Sequence, residues 1–151
     1  METSNDKSTA TVTHLSTLCQ YMIPFGGFIF PLLIWSSKKE DSIYIDHHGK
    51  QVLNFQLSVL LYSVVFLLIA IPTFIIWLVK IIDFTKIDDH NYTINEVILN
   101  PNLTGFVIVG IVAIILFILL RISEFFLIIY AAVKSSNGEY YKYPLTIPFI
   151  K

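Results

Sequence analysis

Hydrophobic positions in this chain gather into three long segments separated by short polar stretches. The first covers residues 15–35 and carries no charge. A bilayer crossing takes about 20 helical residues at a rise of about 1.5 Å each, so its length suits a span. Pro24, Gly26, Gly27 and Pro31 fall inside it. Membrane helices tolerate such residues where neighbours satisfy the freed backbone groups, and a kinked span is the first expectation. A re-entrant hairpin is the alternative. The second segment covers 52–79 with Pro72 inside. Its uncharged run exceeds what a bilayer needs, so it must tilt, kink or project. Trp77 and Lys80 read as an interfacial anchor pair. The third covers 103–133. Its Ile and Val content favours strand, but an open strand in lipid leaves its backbone unpaired, so helix wins. Asn100-Pro101-Asn102 breaks the chain before it, and Ser135-Ser136-Asn137-Gly138 stops it afterwards.

The expected fold class is therefore all-α: an integral membrane helical bundle of about three transmembrane helices, the first one kinked. Residues 1–13 read as a disordered polar tail ahead of a single membrane domain over 14–151. Composition agrees. Hydrophobic residues make up 55% and charged residues 14%, against about 25% charged in soluble domains. That is too little charge to cover a soluble surface. The net charge of −1 supplies no basic field, so nucleic acid is not an expected partner. Cys19 is the only cysteine, which rules out an intrachain disulfide. The polar N-terminus lacks a basic run leading into a cleavage site, so the first apolar segment is expected to stay in the mature chain. Three crossings place the 36–50 loop and the C-terminal tail together, with Lys38, Lys39, Lys50, Lys134, Lys142 and Lys151. Lys7, Lys80 and Lys86 fall opposite. Six against three makes the first face cytoplasmic and the N-terminus external. A re-entrant first segment would bring the N-terminus inside.

Candidate chemistry is sparse. Arg121 and Glu124 lie three apart within the third segment, so they share a helix face and can pair. Ionisable groups in a span read as functional. The plainer reading is an interfacial ion pair where the long helix leaves the membrane. His47, Gln51, Asn54, Ser58 and Tyr62 form a polar stripe at spacings of 4, 3, 4 and 4, one face of the second helix. It can line a hydrated path or, more plainly, hold helices together. His47 and His48 point about 100° apart on a helix. They make a poor metal pair, even with Asp46 and His14 to help, and no metal-ligand spacing recurs. Asp46 suits the cap of the second helix. The aromatic, basic tail with Pro144 and Pro148 reads as an extended or turned segment at headgroup level.

A resemblance adds to this. The strings His14-Leu15-Ser16, Ile23-Pro24-Phe25-Gly26 and Pro31-Leu32-Leu33-Ile34-Trp35 set a pattern. It continues through Asp46-x-His48-Gly49-Lys50-x-x-Leu53-Asn54-Phe55-Gln56 and closes at Tyr140-Tyr141-x-Tyr143-Pro144-Leu145-Thr146-Ile147. The pattern resembles the Tic-twenty-like family of small bacterial and archaeal membrane proteins. That resemblance implies a protein-translocation or membrane-protein-assembly role. His47 stands where the pattern has an acidic residue, and the Arg121–Glu124 pair lies outside it.

The function expected from these readings is that of a non-enzymatic integral membrane protein, a translocation or assembly component. The alternative is a small-solute or ion carrier using Arg121, Glu124 and the stripe. Candidate functional residues are Arg121, Glu124, His47, His48, Lys50, Gln51 and Asn54. The expected partners are the lipid bilayer and other membrane proteins or further copies of the chain. No catalytic motif, cofactor or metal is expected.

Overall fold

A computed structural model describes residues 3–86 and 101–151, with side chains over 3–79 and 104–151. Most of the loop expected at 83–102 lies outside the described residues, as does the side chain of Lys80. The described residues form helices joined by short turns and followed by an irregular tail after Ser136, without a strand. They form α1 (Ser4–Ser16), a 3₁₀ turn (Thr17–Tyr21), α2 (Gly26–Lys38), α3 (Ile43–Lys86) and α4 (Pro101–Ser136).

Two helices are long and apolar enough to cross a membrane, over Ile43–Val79 and Thr104–Ser136. Their most apolar windows are only 17% and 11% buried within the protein. A soluble core helix would be mostly covered. Here Leu60, Leu61, Val64, Val65, Leu67 and Leu68 of α3 and Ile108, Val109, Ile111, Val112, Ile115 and Leu119 of α4 are all exposed. Such a continuous apolar surface needs hydrocarbon around it.

The first apolar segment, residues 15–35, is not one continuous helix. Its residues make the 3₁₀ turn and α2, and the 13 residues of α2 reach about 20 Å, short of a core of about 30 Å. The break sits at 22–25. Pro24 disfavours helical backbone at Ile23, and Phe25 takes a left-handed conformation with φ of 62°. Gly26 then passes so close to the 3₁₀ turn that a Cβ there would lie 2.7 Å from the Cys19 carbonyl oxygen. The chain reverses, and α2 packs back on the 3₁₀ turn and α1.

The polar N-terminal stretch is helical from Ser4. The Thr3 hydroxyl accepts from the Asp6 amide at 3.1 Å, and the Asp6 carboxylate accepts from the Thr3 amide at 3.1 Å. This reciprocal cap starts α1, which then buries Ala10, Thr13 and His14.

The chain divides into two compact units, Met1–Leu61 with Arg121–Lys151, and Tyr62–Leu120. In the second unit α3 and α4 approach through small residues: a Cβ on Gly110 would lie 2.6 Å from the Thr73 hydroxyl. Close backbone approach of this kind is how membrane helices gain contact without a hydrophobic driving force. An apolar cavity of about 180 Å³ lies between Thr73, Trp77, Phe106 and Gly110. The first unit holds α1, the 3₁₀ turn, α2, the start of α3, the end of α4 and the tail. It carries the polar side chains of interest.

Candidate functional site

The N-terminal arm runs antiparallel beside the end of α4. Lys7 lies over Gly138, where a Cβ would come 2.7 Å from its Cε. The Thr11 and Ser135 hydroxyls are 3.2 Å apart. Further along, Gln20 Nε2 donates to Glu124 Oε1 at 2.8 Å, and the Tyr21 ring meets Phe125 edge-on at 6.3 Å. Gly138 itself ends α4. With φ of 84° it allows the Glu139 amide to reach the Lys134 carbonyl at 3.1 Å and its own amide to reach Ser135 at 3.0 Å. Those two bonds make a Schellman stop.

Arg121 and Glu124 pair as their spacing requires, with Nη1 donating to Glu124 Oε2 at 2.8 Å. The Glu124 side chain has no exposed surface, while that of Arg121 is 38% exposed. One carboxylate oxygen binds Arg121 and the other binds Gln20, so a buried charge is satisfied at both ends. The pair thereby latches the 3₁₀ turn onto α4.

The polar stripe has a specific occupant. Asn54 Nδ2 donates to the Ile150 carbonyl at 2.9 Å, and its Oδ1 accepts from the Ile150 amide at 2.7 Å. The Ser58 hydroxyl accepts from the Ile147 amide at 2.8 Å while donating to the Asn54 carbonyl at 2.7 Å. His47 Nε2 sits 3.3 Å from the Tyr141 carbonyl. The tail therefore packs on α3. Two side chains of the helix supply the backbone partners that its prolines and extended conformation deny it. Tyr143 is buried against Phe55, with rings stacked at 4.0 Å and 6°. Gln51 carries a buried Oε1 without a hydrogen-bond partner.

Three segments meet at a chain of imidazoles. His14 Nδ1 is 2.8 Å from the Tyr143 hydroxyl, and His14 Nε2 is 2.8 Å from His48 Nδ1. All three side chains are buried. Burial is the largest cause holding the His14 pKa well below its usual value, followed by His48 and His47. Burial likewise pushes the Tyr143 phenol well above its usual range. His14 and Tyr143 were not among the candidates. His14 was weighed only as a metal helper, and a partner 129 positions away leaves no local signal. The facing nitrogens bond each other. Among the described residues, no three His, Cys, Asp or Glu side chains gather into a metal site.

Lys50 and Asp46 form a further knot. Lys50 Nζ binds Asp46 Oδ2 at 2.6 Å, and Trp35 Nε1 donates to Asp46 Oδ1 at 2.9 Å. Asp46 lies in the first turn of α3, where the helix dipole favours it. It ties α2 to α3 instead of capping the helix, which already begins at Ile43.

Compared with known proteins, residues 5–150 match a family model described as the magnetosome magnetite crystal formation protein family, MamF/MmsF. The chain belongs to this family. No curated protein and no solved structure matches it. The family match overturns the Tic-twenty-like resemblance. The strings behind that resemblance fall inside the matched stretch, and several of their residues do packing work: His48, Gly49, Asn54 and Tyr143 join segments of this fold. The chain is thus a helical membrane protein of a magnetosome family.

Proposed function

We propose that the chain is a non-catalytic component of the membrane that encloses forming magnetite, and that it serves crystal formation from within that bilayer. The observation that carries this reading is the family match over 5–150 on a chain whose two long helices expose apolar side chains across most of their most apolar stretches. Partners are lipid and neighbouring membrane proteins, further copies of the chain included. The topology that fits is two spans with a re-entrant first segment. The tip of that segment exposes Met22 at 86% and Phe25 at 71%, as an element dipping into lipid would. The α1 arm returns to the level where α4 ends, since Lys7 lies by Gly138 and Thr11 by Ser135, and α2 meets the start of α3 through Trp35 and Asp46. Lys7 then joins Lys38, Lys39, Lys50, Lys134, Lys142 and Lys151, leaving Lys80 and Lys86 opposite. That distribution favours the N- and C-termini together on the cytoplasmic face.

The carrier alternative draws little support from this geometry. Asn54 and Ser58 are engaged by the tail, and Glu124 by Arg121 and Gln20. Magnetic separation of membranes from cells that carry the protein tests the main reading. The tagged chain should be enriched in the magnetite-bearing fraction and resist extraction with alkaline carbonate. Recovery only from non-magnetic membranes, or from the aqueous supernatant, refutes it.

A further inference from the structure

We infer that α1 and the C-terminal tail are held on α3 by an acid-labile clasp, the hydrogen-bonded chain Tyr143–His14–His48, which opens when its imidazoles take up protons. The clasp joins three segments distant in sequence through two bonds of 2.8 Å. In its neutral form one tautomer satisfies every link. The phenol donates to His14 Nδ1, and His14 Nε2–H donates to His48 Nδ1. That leaves the His48 Nε2–H buried without a hydrogen-bond partner.

The clasp tolerates charge poorly. A first proton on His14 can be absorbed if Tyr143 turns from donor to acceptor. A second cannot, because two N–H groups would then face each other across 2.8 Å. Nothing nearby compensates. The groups facing His14 are His48 and His47 from α3 and Tyr143 from the tail. Tyr44 and Tyr140 flank His48. The carboxylate nearest in effect is Glu124 of α4, which bears on Tyr143 and is already bound by Arg121 and Gln20. The Glu139 carboxylate is bound to Lys134 at 2.6 Å.

The sign follows directly. The closed clasp has no place for a second proton; open, each imidazole titrates near its ordinary value of about 6.5. The clasp is fully present above that pH and is lost as pH falls below it. Only the open form takes the second proton, so the open-to-closed ratio rises by about tenfold for each pH unit, or on the order of 10² at two units below. Precipitation of an iron oxide from aqueous iron releases protons, so on the family reading such a device has a local signal to sense. The clasp itself does not rest on that reading.

Spin labels at Ser8 and Ile43, in a Cys19→Ser background in lipid nanodiscs, report the α1–α3 distance. A second pair at Val65 and Val112 reports the other unit. Between pH 7.5 and 4.5 the first pair should pass from a narrow to a broad, longer distribution while the second stays fixed. The His14→Gln/His48→Gln chain should lose this pH response. An unchanged first pair at pH 4.5 overturns the inference. So does broadening of both pairs together, which is general acid unfolding, or an undiminished response in the doubly substituted chain.

Discussion

Gly49 lies on α3 directly beneath Trp35 of α2. A methyl group there would stand 2.5 Å from Trp35 Cγ and 2.9 Å from its Cβ, and closer still to Cδ1. Ordinary carbon contacts begin near about 3.5 Å. The indole is not free to swing aside. Its Nε1–H is bound to Asp46 at 2.9 Å, and the Lys39 ammonium sits 5.3 Å from the ring centroid. Gly49→Ala must therefore expel Trp35 or part the two helices. Overpacking costs about 1–3 kcal/mol. Losing the bond to the carboxylate adds about 1.5 kcal/mol, the low end for a charged acceptor, because Lys50 still holds Asp46. The better helix propensity of alanine returns about 1 kcal/mol. The net expectation is a loss of about 2 kcal/mol. With Trp35→Ala already in place the obstruction is gone, and Gly49→Ala should instead stabilise by up to about 1 kcal/mol. The substitution thus changes sign, with a coupling of about 3 kcal/mol. Reversible denaturant unfolding in mild detergent, followed by far-ultraviolet circular dichroism, measures all four corners of the cycle. Equal costs in both backgrounds would refute the packing argument.

Other substitutions probe the remaining joints. Glu124→Ala strands Arg121 and Gln20 and should cost about 3 kcal/mol by the same assay; Glu124→Gln, which keeps an acceptor for Gln20, should cost clearly less. Asn54→Ala removes both bonds to Ile150 and should raise the rate of proteolytic clipping within the tail several-fold without loss of helix content; an unchanged clipping rate counts against the docked tail. The raised pKa of Tyr143 means that the folded chain keeps its phenolic proton while the unfolded chain loses it. Stability should therefore fall as pH rises above about 10, by up to about 1.4 kcal/mol per unit. Tyr143→Phe should flatten that slope, and an identical slope in the variant argues against a buried phenol.

Much of the helical architecture was legible, because an uncharged run of 18 or more residues has few other fates. The Arg121–Glu124 pair and the polar stripe were legible too, since both rest on helical periodicity alone. The partners of those groups were not. Gln20, Ile147 and Ile150 come from segments whose positions depend on tertiary packing, and one helix face looks the same whether it meets water, a helix or a tail. The first segment misled for a related reason. Pro24 and the two glycines signal a bend without giving its size, and Phe25 in a left-handed conformation turns a kink into a reversal. The polar start of the chain carried a readable cue in Thr3-Ser4-Asn5-Asp6, the spacing of a capping box. Its low hydrophobicity hid that cue, because α1 is held largely by side-chain hydrogen bonds rather than an apolar stripe.

In the proposed topology the first apolar segment turns back instead of crossing. Single cysteines at Ser4 and at Lys151, each in a Cys19→Ser chain, can be challenged in sealed, oriented membrane vesicles with a maleimide that does not cross lipid. The account predicts that both positions react from the same side and that neither reacts from the other. Reaction of Ser4 and Lys151 from opposite sides would restore a third crossing and contradict it.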